Sequence, residues 1–342
     1  MAIQDKVRKN REKIVKELLE KMKEGYMPSK ALWDKLQVRP QNPTSNVYYR
    51  GINRLKLSME AVRHNYKDPR WITYIQAKKN NWNIKKGEHG TLCEKWIYTK
   101  TVTEKDENGN NTKKEIKLDR PVPNYFIVFN AEQIEGIPKL EIKEKNKSEM
   151  IKTANDFINS SECTVKEVAS DQAYYSPRED QIVLPLRESF KNDESFLTTA
   201  LHEMGHSTGH ETRLNRNIIN EFGSTEYAKE ELTAELSSVF VSGDLGIKLE
   251  GENFNDHTNY LKSWIKVLEN DPNELFRAAA QAEKAADRLY GNYMNYTENK
   301  KDKTLKNEYN ENKEEKNTLK ISAKKCSYYK DTKSSAKGEK EI

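Results

Sequence analysis

Along residues 4–38 the apolar positions Val7, Ile14, Leu18, Leu19 and Met22 recur at helical spacing among Lys, Arg and Glu, which predicts an amphipathic leading helix. Trp33 is expected to anchor the turn that follows it. Tyr49–Met59 predicts a second helix, with Asn53 as a candidate cap. Ile84–Thr91 is a glycine-bearing turn feeding a strand from Cys93 to Tyr98. The polar stretch Thr101–Lys117, centred on Asp106–Asn110, reads as a hairpin with an exposed tip, and Pro123–Asn130 as its return strand. A charged linker, Lys139–Lys147, precedes a helix over Glu149–Ser160. Val165–Val168 and Gln181–Pro185 read as strands, with Pro177 and Asp180 marking a turn between Tyr174-Tyr175 and Ile182. Phe196–His206 and Tyr227–Val241 carry helical periodicity. So does 256–290, where Trp264, Ile265, Val267 and Leu268 point inward and Pro272 begins a last helix. From Asn292 onward Lys, Asn, Glu and Ser dominate. Such a tail buries too little surface to offset its chain entropy, so disorder is expected. The pattern predicts an α+β fold of two domains, 1–138 and 139–291, followed by a tail over 292–342.

Composition narrows this picture slightly. Of 342 residues, 35% are hydrophobic and 33% charged, which is polar for a globular chain and agrees with a long unpacked tail. Cys93, Cys163 and Cys326 are odd in number and far apart, so they suggest neither a disulfide framework nor a cysteine metal site, and a reducing compartment fits. No apolar leader opens the chain and no run is long enough to span a bilayer, so no membrane partner and a cytoplasmic location are expected.

Candidate chemistry centres on His202-Glu203-Met204-Gly205-His206. Residues four apart share one helix face, so both imidazoles can reach one ion, with Glu203 beside them to take a proton from water. This is the spacing of H-E-x-x-H zinc hydrolases. A third ligand is expected from the second helix, where Glu231 and Glu235 share a face and repel unless a cation lies near. Glu231 is assigned as the ligand and Glu235 as the carboxylate that orients a ligating histidine. Glu230 is read as solvated. His210 continues the four-residue spacing, but Gly209 argues that the helix ends first. His210 is therefore placed on the substrate side or behind a ligand. A Zn2+ ion on His202, His206 and Glu231 would leave one position for water, with Glu203 as proton acceptor for attack on a peptide carbonyl. Tyr174, Tyr175, His210 and Arg213 are candidate oxyanion donors. The strand ending at Pro185 is a candidate edge for an extended peptide.

Net charge is +5 overall, but its distribution is uneven. From Tyr48 to Lys100 twelve Lys/Arg stand against four Asp/Glu, a local balance of +8. Aromatic rings are interleaved with them. Cations neutralise phosphates and exposed rings stack on unpaired bases, the composition of a single-stranded nucleic-acid surface. A basic face over an aromatic core has the same composition. Trp71 and Trp96 are expected inside. Tyr49, Arg50, Arg54, Arg70, Lys85 and Lys86 are the candidate contacts.

The segments Asn42-Pro43, Tyr49–Asn53, Pro69–Thr73 and Lys86–Gly90 resemble the N-terminal domain of ArdC-type antirestriction proteins. Ala173–Pro185, His202–His210, Arg213-Leu214 and Glu230–Glu235 resemble the zincin-like metallopeptidase domain of the same family, in the same order. The resemblance covers about residues 5–290. It implies single-stranded DNA as partner, a conjugative or mobile element as setting, and protection of incoming DNA as role. Two classes of function remain: a DNA-binding protective protein with a structural zinc, and a metalloprotease acting on a host or element protein.

Overall fold

The structure, a computed structural model, describes residues 3–23, 39–105, 110–141, 147–247 and 258–303. The expectations for Trp33, for the hairpin tip at 106–109 and for the tail beyond 303 lie outside these residues. The chain divides into a unit over 1–290 and a second over 291–342.

In the first unit, helix α1 (Ile3–Lys23) buries Ile14, Val15, Leu18 and Met22, the stripe its periodicity predicts. Helix α2 (Gly51–His64) starts two residues later than expected. Its N-cap is Arg50, not Asn53. Asn53 instead lies inside the helix and bonds the backbone of Glu94 at both its carbonyl (2.6 Å) and its N–H (2.9 Å), as a neighbouring strand would. Strand β1 (Trp71–Thr73) leads into the short helix α3 (Tyr74–Lys79), closed by a Thr73–Gln76 capping box.

After β2 (Asn83–Ile84) come two long strands, β3 (Thr91–Lys105) and β4 (Asn111–Asn130), then β5 (Ile134–Glu135). The sheet order is β1-β4-β3, all antiparallel, and β2 pairs with β5. The hairpin is therefore much longer than Cys93–Tyr98 and Pro123–Asn130 suggest. Only its base is packed. There Leu57, Trp71, Cys93 and Val128 form one small core, and Ile72, Ala77 and Ile134 a second. Beyond Glu94 most β3 and β4 side chains are exposed.

The second half of this unit begins with α4 (Lys147–Asn159). Strands β6 (Thr164–Val168), β7 (Tyr174–Ser176) and β8 (Gln181–Pro185) form a sheet of order β6-β8-β7, with β6 parallel and β7 antiparallel to β8. The strand ending at Pro185 is therefore central rather than an edge, which corrects its assignment as a peptide-pairing strand. β8 is flanked on both sides because it carries the buried run Ile182, Val183 and Leu184.

Helices α5 (Asp193–Ser207), α6 (Thr225–Leu245) and α7 (Thr258–Asn270) follow, and 274–290 completes the unit as helix α8. From Ala228 to Gly243 every α6 residue but the half-buried Lys229 is buried, including Ser237, Ser238 and Ser242, which donate to carbonyls three residues back. In the second unit residues 291–303 are helical, which corrects the expectation of disorder for 292–303. Within it the Lys300 ammonium lies 5.8 Å over the Tyr296 ring one turn earlier, a pair that supports a helix.

Candidate metal centre

Helix α5 is fixed at its start by Asn192, whose side chain accepts from the Ser195 N–H. α6 is capped by Ser224 at one end and by Gly246 in a left-handed conformation at the other. The two helices meet at Gly205. A Cβ there would overlap the Ser237 hydroxyl and sit 3.2 Å from the Ala234 carbonyl oxygen. This glycine, inside the H-E-x-x-H segment, allows the close approach that brings α6 to the two histidines.

The structure brings His202, His206 and Glu231 together, with one donor atom from each within 4.8 Å of the others. Nε2 of His202 lies 3.1 Å from Nε2 of His206, and each is 3.4 Å from a Glu231 oxygen. Metal–donor bonds of about 2.0–2.2 Å in a tetrahedron place donors about 3.3–3.6 Å apart. The set therefore fits a small tetrahedral cation.

Each imidazole is held from behind. Nδ1 of His202 lies 3.4 Å from Glu235, which is 1% exposed, and Nδ1 of His206 lies 3.2 Å from Glu230. Glu230 is thus buried, not solvated as its position beside Glu231 suggested. Arg216 grips it through Nε (3.0 Å) and Nη2 (2.7 Å), and also donates to the Gly205 carbonyl and the Thr208 hydroxyl. The signal for this role is the uninterrupted buried character of α6, which leaves no solvated face for Glu230. Arg216 lies on a connecting loop and carries no sequence signal of its own.

Electrostatics follow the same geometry. Burial disfavours charge on His206, but Glu231 and Glu230 outweigh it and push the ring up to about 9. Burial likewise opposes charge on Glu231, yet the two imidazoles hold it far below the ordinary carboxylate range. Glu203 behaves differently. It is buried, outside the donor set, and its pKa is raised by desolvation, while His202 and His206 oppose the rise. The Tyr175 backbone N–H donates to it from β7.

Among the oxyanion candidates, Arg213 and Tyr175 are already engaged. Arg213 donates to Asp180, to the Tyr175 hydroxyl and to the Ser207 carbonyl, joining the β7–β8 turn to the end of α5. Tyr174 is exposed on β7, a sheet edge, and His210 stands outside the donor set, with Nδ1 2.9 Å from the Thr212 hydroxyl.

The candidate nucleic-acid residues separate. Arg54 is 3% exposed and lies against α6, donating to Asp244 and to the Phe240 carbonyl, with its guanidinium 4.5 Å over the Phe240 ring. Arg39 joins it on Asp244 and Glu283. Arg70 is held by Asp68 and the Pro138 carbonyl, and Tyr49 packs on the Trp71 core with its hydroxyl donating to the Trp71 carbonyl. The polar groups of these three are engaged inside the chain. Arg50 remains exposed but pairs with Asp287. Lys85 is exposed and donates to the Glu132 carbonyl, and Lys86 is exposed. Trp96, expected inside, is 43% exposed.

Comparison with known proteins agrees with this two-part architecture. Residues 8–129 match the N-terminal domain of anti-restriction factor ArdC, and residues 152–281 match a zincin-like metallopeptidase family. The chain is 39% identical over 288 residues to a DNA primase TraC of Escherichia coli, covering 81% of this chain and 26% of that one. It is 32% identical over 251 residues to the uncharacterized protein y4eC of Sinorhizobium fredii, covering 73% and 80%. Two crystal structures of the antirestriction ArdC protein from plasmid R388 superpose with TM-score 0.65. The metal-free one is 28% identical and covers 83% of this chain and 98% of that one; the Mn(II)-bound one is 27% identical and covers 83% and 97%. The chain spans about a quarter or less of the length of the TraC primases it matches. Among the described residues no helix is long and apolar enough to cross a membrane.

Proposed function

The chain belongs to the ArdC-type antirestriction family, and on that premise we propose that it is a cytoplasmic, single-stranded-DNA-binding protein of a conjugative or mobile element, carrying a zinc metallopeptidase site. The observation that carries the peptidase reading is Glu203: a buried carboxylate beside three donors at tetrahedral spacing, yet not one of them. A purely structural metal gains nothing from such a residue.

His202, His206 and Glu231 would hold the ion. Zinc would supply Lewis acidity toward water and a peptide carbonyl. Glu235 and Glu230 fix the ring orientations of the two histidines. Glu203, fixed by the Tyr175 N–H and raised in pKa by burial, takes the proton of the attacking water at its carboxylate and returns it to the leaving amine. The exposed edge of β7 beside α5 is where an extended substrate backbone would pair. Arg50, Lys85 and Lys86 contribute phosphate contacts in the first domain, whose DNA-binding role denies single strands to nucleases.

The test uses the full chain, with metal content and cleavage of an unfolded protein measured with and without single-stranded DNA. About one zinc per chain is expected in the wild type. His206→Ala should lose it. Glu203→Gln should keep it and lose about 10²–10⁴-fold in cleavage. Equal cleavage by wild type and Glu203→Gln overturns the peptidase reading, and wild type without zinc overturns the metal assignment.

A further inference from the structure

With Arg54, Arg70 and Tyr49 engaged inside the unit, exposed rings and unpaired cations gather midway along the β3–β4 ribbon. Trp96 is 43% exposed and Tyr98 58% exposed. Trp96 lies opposite Pro123. Tyr98 sits at the break in register between Ile97↔Val122 and Thr99↔Lys117, where β4 advances five residues while β3 advances two. Arg120 lies among the β4 residues that the break leaves unpaired. Lys95, Lys100, Lys117 and Arg120 are all exposed, and none has a carboxylate partner among the described residues. Over 95–100 and 116–124 these four cations face one acid, Asp119, a balance of +3.

This surface has an energetic cost that packing does not offset. Among the described residues the ribbon is two-stranded here, and Trp96 and Tyr98 stay 43% and 58% exposed, an arrangement that folding alone disfavours. Positions two apart on a strand are about 7 Å apart, which leaves room for one flat group on each ring. The surrounding cations favour a polyanion. Flat faces and phosphates occur together in a nucleic acid, and its base faces are open only when it is unpaired.

We propose that the middle of the β3–β4 ribbon, centred on Trp96 and Tyr98 with Lys100 and Arg120, is the surface that binds single-stranded nucleic acid. Bases stack on the two rings and phosphates run along the cations. This rests on the DNA-binding reading above and gives it a place. The register break leaves Arg120 outside the strand pairing at the level of Tyr98.

The experiment uses the full chain and a fluorescent oligo(dT), with anisotropy followed across salt and sedimentation recorded for each protein. Trp96→Ala and Tyr98→Ala should each weaken binding about 5- to 150-fold at unchanged salt slope. The double variant Lys100→Ala, Arg120→Ala should reduce the slope of log K against log salt by about 1.4, at about 0.7 per contact. All of these side chains are exposed, so urea midpoints should stay at the wild-type value. A wild type that ignores oligo(dT) overturns the DNA reading itself. A wild type that binds while both sets of variants bind equally well overturns this placement and leaves that reading standing. Ring variants that turn a dimer into a monomer at unchanged DNA affinity overturn it in favour of a self-association face.

Discussion

In α5 and α6 two imidazoles and a carboxylate face one another at 3.1–3.4 Å. In α2 and the segment before it, Arg39 and Arg54 face Asp244 and Glu283. Both groups are buried and both are made of side chains that are costly to bury. They differ in how their charge is answered. The arginine group sets cation against carboxylate: Arg39 and Arg54 meet both carboxylates, Arg50 lies 3.9 Å from Glu283, and Gly51, held at a positive φ, adds its N–H to Glu283 at 2.9 Å. The histidine group is a set of lone-pair donors aimed at a common centre, with further carboxylates behind it. Cation set against carboxylate is architecture, whereas lone-pair donors that converge on one centre mark chemistry.

Removing Arg54 is the strongest way to break this comparison. Arg54→Ala leaves Asp244 buried with Arg39, and Glu283 with Arg39 and the more distant Arg50, and should cost about 3–5 kcal/mol, read as a lowered urea midpoint. Its oligo(dT) salt slope should not change. A loss of DNA affinity at wild-type stability would return Arg54 to the nucleic-acid surface.

The outcome of reading the sequence depended on the range of the interactions involved. His202 and His206 converge because a helix fixes the direction of residues four apart, and that is local geometry. Glu231 could be brought to them from the same rule applied to a second helix. Arg54 could not be placed this way. Its partner Asp244 lies 190 residues away, and composition gives the sum of charge without the pairing. Trp96 failed for a related reason: alternation along a strand identifies a face, but not whether another layer covers it. Glu230 was read from its neighbour's role rather than from its own helix, which is buried on every side.

A sharper division within the histidine group comes from Glu230→Gln. This keeps shape but weakens the carboxylate behind His206, so metal affinity should fall about 10–100-fold, measured by competition with a chromogenic chelator. Arg216→Met should act in the same direction, because Arg216 holds Glu230. Unchanged affinity in both would reduce the pair to a structural ion bridge.

The smallest effect concerns Asp180, whose carboxyl is held below its ordinary 3.8 chiefly by hydrogen bonds from Arg213, against a smaller opposing effect of burial. A depressed folded value stabilises above the unfolded pKa and is lost as pH falls through the folded one. Asp180→Asn should therefore lower stability at neutral pH and flatten the fall in stability below about pH 4. With the carboxylate about one-third exposed, the difference should stay under about 1 kcal/mol. Parallel curves for the two proteins would remove Arg213 from the links that hold β7 against α5.

The arginine group has a consequence for how such genes are assembled. α6 carries Glu231 near one end and Asp244 near the other, thirteen residues or about 20 Å along the axis. One helix thus supplies the metal centre and the counterion of the neighbouring domain. A recombination event that separated the halves would strip Asp244 and Glu283 of Arg39 and Arg54, leaving like charges gathered at the end of the helix that positions Glu231. The halves are therefore heritable as a pair. The 288-residue match inside much longer primases covers both of them, the pattern expected when such a block moves whole.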